Sequence, residues 1–249
     1  MMEFSLNAKD EEILESLLFI QMKHTIMLGE DYSNDTIPVS ELVRRLEQSC
    51  ADDSTHSAIL NIIARKLATD KEGGPWLVFT PHKGVYFTEK GLNHARGLLR
   101  KHRLAERLLV EILGFPIEEA HDEACRLEHA ISDRVADRIE MKISDDNPLY
   151  CPHGVPIPSK NGELPKMPFK VLSDLEAPRA VILRGSINEA SSFLKDLHEL
   201  GLTPGTELHL TRSNIESGNV SVALHRDDKV KEVVLPREIA SSLLVEPMK

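Results

Sequence analysis

One change of rhythm constrains this chain more than any other feature of its sequence. Up to Met141 the apolar residues recur mostly three and four apart, the spacing of helices that bury one face. Beyond Ala180 they come in short β-like runs (AVILRG, ELHLTR, VSVALH, KEVVLP) set between turn residues. Between them, Asp145 to Pro178 is rich in proline and carries no period, which marks a linker or boundary. A helical part followed by a small β-barrel predicts an α+β protein in separate domains.

Within the first part, residues 10 to 23 predict an amphipathic helix through Ile13, Leu14, Leu17, Leu18 and Ile20. Val39 to Leu46 predicts a short second helix, and Asp52 to Asp70 a third, opening on the capping residues Asp-Asp-Ser-Thr. Trp76 to Phe79 and Val85 to Thr88 predict two strands joined across Thr80 to Gly84. Two helices, a brief turn and a hairpin are the parts of a winged helix-turn-helix. On that reading Ser54, Thr55, His56 and Ser57 start the recognition helix, and Lys83 tips the wing. Each of these residues has an ordinary capping or solvated reading as well. Leu92 to Leu113 predicts a long helix stopped by Gly114 and Pro116, and Ile117 to Met141 another.

The chemistry lies in residues 102 to 129. His102 and Glu106 share one side of the first long helix, while His121, Cys125, Glu128 and His129 follow at i, i+4, i+7 and i+8 on the second. Imidazole, thiolate and carboxylate are the side chains that bind first-row divalent metals. His121 and His129 stand roughly 12 Å apart along a helix axis, too far to share one ion, so two sites are expected. His121 goes with His102 and Glu106; Cys125, Glu128 and His129 form the other group, to which Glu12 and Glu15 of the first helix can add a carboxylate. A lone His–Glu pair on a helix is usually a solvated pair, but six donors on two successive helices are harder to dismiss. Cys151 and His153 are also possible ligands, although the surrounding prolines favour a rigid turn.

These motifs resemble the diphtheria toxin repressor / iron-dependent regulator family. The resemblance rests on Arg100 to Leu109 (RKHRLAERLL), His121 to His129 (HDEACRLEH), Cys151 to Pro158 (CPHGVPIP) and Leu200 to Gly205 (LGLTPG). The last is similar to the SH3-like domain of ferrous-iron transport A proteins. The resemblance implies an ancillary site of His102, Glu106 and His121 completed by Glu189, with a second donor position falling near Ser192. It implies a primary site of Cys125, Glu128 and His129, with Glu12 and the nearby Glu15 standing where relatives use methionine or aspartate. Fe(II) or Mn(II) at two sites per chain is the implied cofactor, the thiolate leaning to iron and the carboxylates to manganese. A homodimer joined through residues 92 to 141, bound to double-stranded operator DNA, is the implied assembly.

The expected domains are a winged helix-turn-helix over 1–91, a helical metal-binding and dimerisation domain over 92–164, a linker over 165–178 and an SH3-like, FeoA-type domain over 179–249. A net charge of -10 runs against the basic footprint usual for DNA binding, so local patches or bound cations must supply it. Residues 29 to 36 and the stretch from Gln48 to Trp76 are longer than in the family, which leaves a binding module with lost or altered DNA recognition as the rival reading. An enzyme is the weaker rival, since no His-Glu-x-x-His motif or glycine-rich phosphate cradle occurs. No small organic substrate and no membrane partner is expected. Three sparse cysteines, no apolar run near ~18 residues and an acidic start predict a cytoplasmic protein.

Overall fold

The computed structural model describes residues 6–28, 36–48, 56–69, 73–143, 150–165, 168–214, 217–226 and 229–248. These fold as two compact units: 1–105 with 122–142 and 158–164, and 106–121 with 143–157 and 165–249.

The first unit opens with α1 (Ala8–Leu28), α2 (Val39–Gln48) and α3 (His56–Ile62), the last widening into a π-turn over Ile63–Leu67. α1 starts earlier than its apolar stripe, because Asn7 and Asp10 form a capping box. The Asp10 amide donates to Asn7 Oδ1 at 3.0 Å and the Asn7 amide to Asp10 Oδ2 at 2.7 Å. Ile13, Leu14 and Leu17 on α1 pack with Leu42, Ile59, Ile63 and Leu67 into one core. β1 (Leu77–Thr80) and β2 (Gly84–Phe87) pair antiparallel, and Ile37 adds a one-residue third rung by exchanging two hydrogen bonds with Val85. Gly84 is required there: at φ +132° it passes so close that a Cβ would lie 2.1 Å from the Ile37 carbonyl oxygen.

α4 (Glu89–Arg107) continues as a π-turn to Ile112, and its residues divide between the two units. The single helix expected over 117–141 is two: α5 (Ile117–Leu127) and α6 (Asp133–Glu140). Ser132 causes the restart, its side chain accepting the Val135 amide at 3.3 Å as an N-cap. Glu128 and His129 therefore sit on a turn, and the helical face reckoned through His129 ends at Leu127. Residues 158–164 return to this unit, where Leu164 packs on its core and Lys160 pairs with Asp137.

The second unit is built on β3 (Lys170–Val171), β4 (Arg179–Ser186), β5 (Glu207–Ser213), β6 (Val220–Arg226), β7 (Lys229–Leu235) and β8 (Leu243–Pro247), with α7 (Ser191–Leu200) and the short α8 (Arg237–Ala240). They form one antiparallel sheet in the order β3-β8-β4-β5-β6-β7, with register shifts in β4 and β5. Irregularities of this kind bend a sheet. The core takes Val181, Leu183, Leu208, Val222, Leu243 and Val245. The period-free stretch before it holds a tight turn at 151–155: the Cys151 amide donates to the Val155 carbonyl and the Gly154 amide to the Cys151 carbonyl, each at 2.9 Å. That turn is pressed on β4, where the Ser186 amide donates to the His153 carbonyl at 2.9 Å.

Candidate metal centres

In the first unit, Glu15 of α1, His102 of α4 and Glu128 of the post-α5 turn bring donor atoms within 4.8 Å of one another. His102 Nδ1 lies 2.6 Å from Glu128 Oε2 and 3.8 Å from Glu15 Oε1. One ring nitrogen of His102 is also within 4.8 Å of Cys125 Sγ. His129 approaches from the rim, Nε2 3.3 Å from Glu128 Oε1 and Nδ1 2.7 Å from Glu11 Oε2. Burial pushes Glu11 upward, but hydrogen bonds from His129 and His94 outweigh it and hold the carboxyl at about 2. The same bond to Glu11 raises His129, against desolvation and with help from Glu128.

This grouping differs from the expected one. His102 Nδ1 meets Glu15 and Glu128, residues that the helix spacing had placed with the other group. Glu12 is half-buried on α1 and is not among the convergent donors, whereas Glu15, one turn on, is. Glu11 was not foreseen at all. Its contact with His129 depends on how α1 packs across α4 and the α5–α6 turn, which no local pattern encodes.

The second unit gathers Glu106 from the end of α4, Cys151 and His153 from the tight turn, and Glu189 from the segment before α7. All four are buried, with donor atoms within 4.8 Å of one another. His153 Nδ1 lies 3.0 Å from Glu106 Oε1 in a direction that makes no hydrogen bond, while its Nε2–H donates to the Ile117 carbonyl at 3.0 Å. His121 Nδ1 is 3.4 Å from the same Glu106 oxygen. Glu189 Oε1 is buried with no hydrogen-bond partner among the described residues. Cys151 and His153 thus form a rigid turn and a donor pair at once. The signal was their spacing of two within Cys-Pro-His-Gly, which puts both side chains on one turn.

This cluster fits a divalent cation. Two ligands bonded at ~2.1 Å and held at right angles stand ~3 Å apart, which is the unaligned His153–Glu106 separation. A buried carboxylate oxygen without a partner is costly, and a cation removes the cost. The thiol agrees: burial, and then the Glu106 charge, push Cys151 up to about 11, so it ionises only when a positive charge arrives. Desolvation lowers His153, but Glu106 and Cys151 lift it well above its ordinary value. Thiolate, imidazole and carboxylate together suit iron, manganese or zinc.

Of the residues expected at DNA, Ser54 and Thr55 lie outside the described residues. His56 begins α3, Ser57 follows it exposed, and Lys83 is exposed at the hairpin tip.

Residues 88–159 match the iron dependent repressor metal binding and dimerisation domain, and residues 170–247 match the FeoA domain, which is SH3-like. The chain is 33% identical over 177 residues to the iron-dependent repressor IdeR of Mycobacterium leprae, covering 66% of this chain and 74% of that protein. It is 30% identical over 189 residues to the diphtheria toxin repressor of Corynebacterium jeikeium, again 66% and 74%. Among solved structures, a manganese-dependent transcriptional repressor in complex with manganese superposes with a TM-score of 0.68 at 27% identity, covering 92% of this chain and all of that one. ScaR with bound Zn2+ gives 0.71 at 28% identity over 96% and 99%. A helical unit with a β-hairpin wing, buried His–carboxylate clusters and a FeoA sheet define a metal-dependent transcriptional repressor. The chain belongs to the diphtheria toxin repressor / iron-dependent repressor family.

Proposed function

We propose that the chain senses Fe(II) or Mn(II) through two sites and represses transcription as a homodimer on operator DNA. The observation that carries this reading is the convergence of Glu15, His102 and Glu128 from three separate elements of the first unit. The two carboxylates held around His102 repel each other, and a divalent cation at this point supplies positive charge that offsets both. The proposed regulatory ligands are Glu15, His102, Cys125, Glu128 and His129. With them engaged, α1 is tied to α4 and to the α5–α6 turn, which fixes the helices that carry the wing and α3. Metal then favours DNA binding by as much as it binds the fixed arrangement more tightly than the slack one.

The second proposed site is Glu106, Cys151, His153 and Glu189, with His121 beside Glu106. Dimerisation is supported by exposed apolar side chains within the matched dimerisation domain: Leu127, Val135 and Met141 in the first unit, Ile112, Leu113 and Phe115 in the second. α3 and the tip at Lys83 are the proposed contacts with groove and phosphate.

Mn(II) titration by equilibrium dialysis, with gel retardation of selected double-stranded DNA, tests the proposal. Two equivalents per chain and metal-dependent retardation are expected, both reduced by Cys125→Ala with Glu128→Ala. Retardation indifferent to Mn(II) and to those substitutions refutes the switch. Metal binding without sequence-selective DNA affinity points instead to a binding module of the same fold, a reading favoured only by the lengthened 48–76 stretch.

A further inference from the structure

His129 makes two contacts of different kinds. Its Nε2 faces Glu128, 3.3 Å away, and its Nδ1–H donates to Glu11 Oε2 at 2.7 Å. An imidazole that gives one nitrogen to a metal almost always has its other N–H engaged, by a carboxylate, a backbone carbonyl or water, which fixes its tautomer and ring plane. Glu11 fills that place. It is not among the donors that converge with Glu15 and His102, and its second oxygen is already taken, accepting His94 Nε2–H at 3.0 Å.

His94 is itself held. Its ring meets the Trp76 ring edge to face, centroids 5.0 Å apart at 68°. Lys90 Nζ covers Trp76 at 3.7 Å. The Trp76 amide donates to the Leu67 carbonyl at 2.7 Å, where the π-turn after α3 ends. Gly91 passes so near that a Cβ would lie 1.9 Å from the Trp76 carbonyl oxygen.

We propose that Glu11 and His94 are positioning residues of the regulatory metal site, Glu11 orienting His129 for coordination and His94 holding Glu11 in place. The proposal rests on the regulatory site put forward above. A carboxylate between two imidazoles leaves His129 one ring orientation, so the ligand is preset before the ion arrives. The anchor ends on Trp76, placing the site's outer support against the residue bonded to the end of the α3 segment.

The test uses the full-length protein and Mn(II) binding by equilibrium dialysis, with the Co(II) visible spectrum as the signature of ligand geometry. Glu11→Gln keeps the shape and removes the charge. It is expected to weaken the regulatory site by ~10–100-fold, with full stoichiometry at saturation and a changed Co(II) spectrum. His94→Ala is expected to weaken it less, and His94→Gln, whose side-chain amide can donate in place of Nε2–H, to restore it. Loss of one equivalent of Mn(II) in Glu11→Gln at saturation makes Glu11 a ligand and overturns the proposal. Unchanged affinity in Glu11→Gln, or failure of His94→Gln to improve on His94→Ala, overturns it too. Glu128→Ala separates the two readings: if it leaves Mn(II) binding intact, the regulatory site itself is misplaced. If it abolishes that site while Glu11→Gln binds as the wild type does, only the positioning role falls.

Discussion

Replacing Glu189 by glutamine should raise the stability of the metal-free second unit while removing most of what metal adds to it. Glu189 is 2% exposed, and one of its oxygens has no hydrogen-bond partner among the described residues. Leaving a buried polar group unsatisfied costs about 1–3 kcal/mol, more when it is charged. The amide remains a buried polar group but drops the extra cost of the charge, so the apo protein gains on the order of 1 kcal/mol. For a chain of this size that is a rise of roughly 2–4 °C in Tm. Metal at about 100 times Kd adds ~2.7 kcal/mol to the wild type; after a ~100-fold weakening, the same concentration adds ~0.4 kcal/mol. Calorimetry in chelator and in Mn(II) reads both effects on one sample. An apo Tm that stays or falls, with the metal-induced increment intact, refutes the idea that this cluster is a preformed cation site held at a cost in stability.

Other consequences concern pH, packing and DNA. Glu11 falls from 4.5 to about 2 on folding, so its contribution is present above 4.5 and lost as pH drops through the folded value. His129 is raised above 6.5, so its contribution is present below 6.5 and lost as pH climbs through the folded value. Apo stability in denaturant titrations should therefore peak between 4.5 and 6.5, and Glu11→Gln should flatten both limbs; an unchanged profile counts against the pair. A Cβ at Gly185 would lie 1.8 Å from the His153 carbonyl oxygen, so Gly185→Ala should cost about 1–3 kcal/mol and weaken the second site. Gly97→Ala, inside α4 with nothing within 4 Å, should leave metal affinity alone and stabilise by up to about 1 kcal/mol, and equal melting and metal affinity in the two variants would refute the role of the close approach at Gly185. Lys83→Ala should lower the salt slope of DNA binding by ~1, and no change would take the hairpin tip out of the interface.

How much of this was legible beforehand varied with the range of the interaction. The apolar stripe of α1, the hairpin around Gly84 and the strands β4 to β7 of the FeoA sheet follow from spacing and turn chemistry, which are local. β8 was missed because Leu243, Leu244 and Val245 are all buried, and a strand covered on both faces shows no alternation. The break between α5 and α6 was missed because an apolar period continues through it while one serine cap overrides it. The donor residues were readable as chemistry, since histidine, cysteine and glutamate at helical intervals are few and recognisable.

By itself, the sequence determined the two-part α+β plan, the supply of metal-binding side chains and the resemblance that names the family. Tertiary structure decided which donor meets which: His102 turning to Glu15 and Glu128, the Cys-Pro-His-Gly turn delivering Cys151 and His153 to Glu106 and Glu189, and Glu11 reaching His129 across more than a hundred residues of chain. The reason is range. Capping, period and turn preference act over a few residues, whereas coordination geometry depends on angles between elements that only the packed core sets.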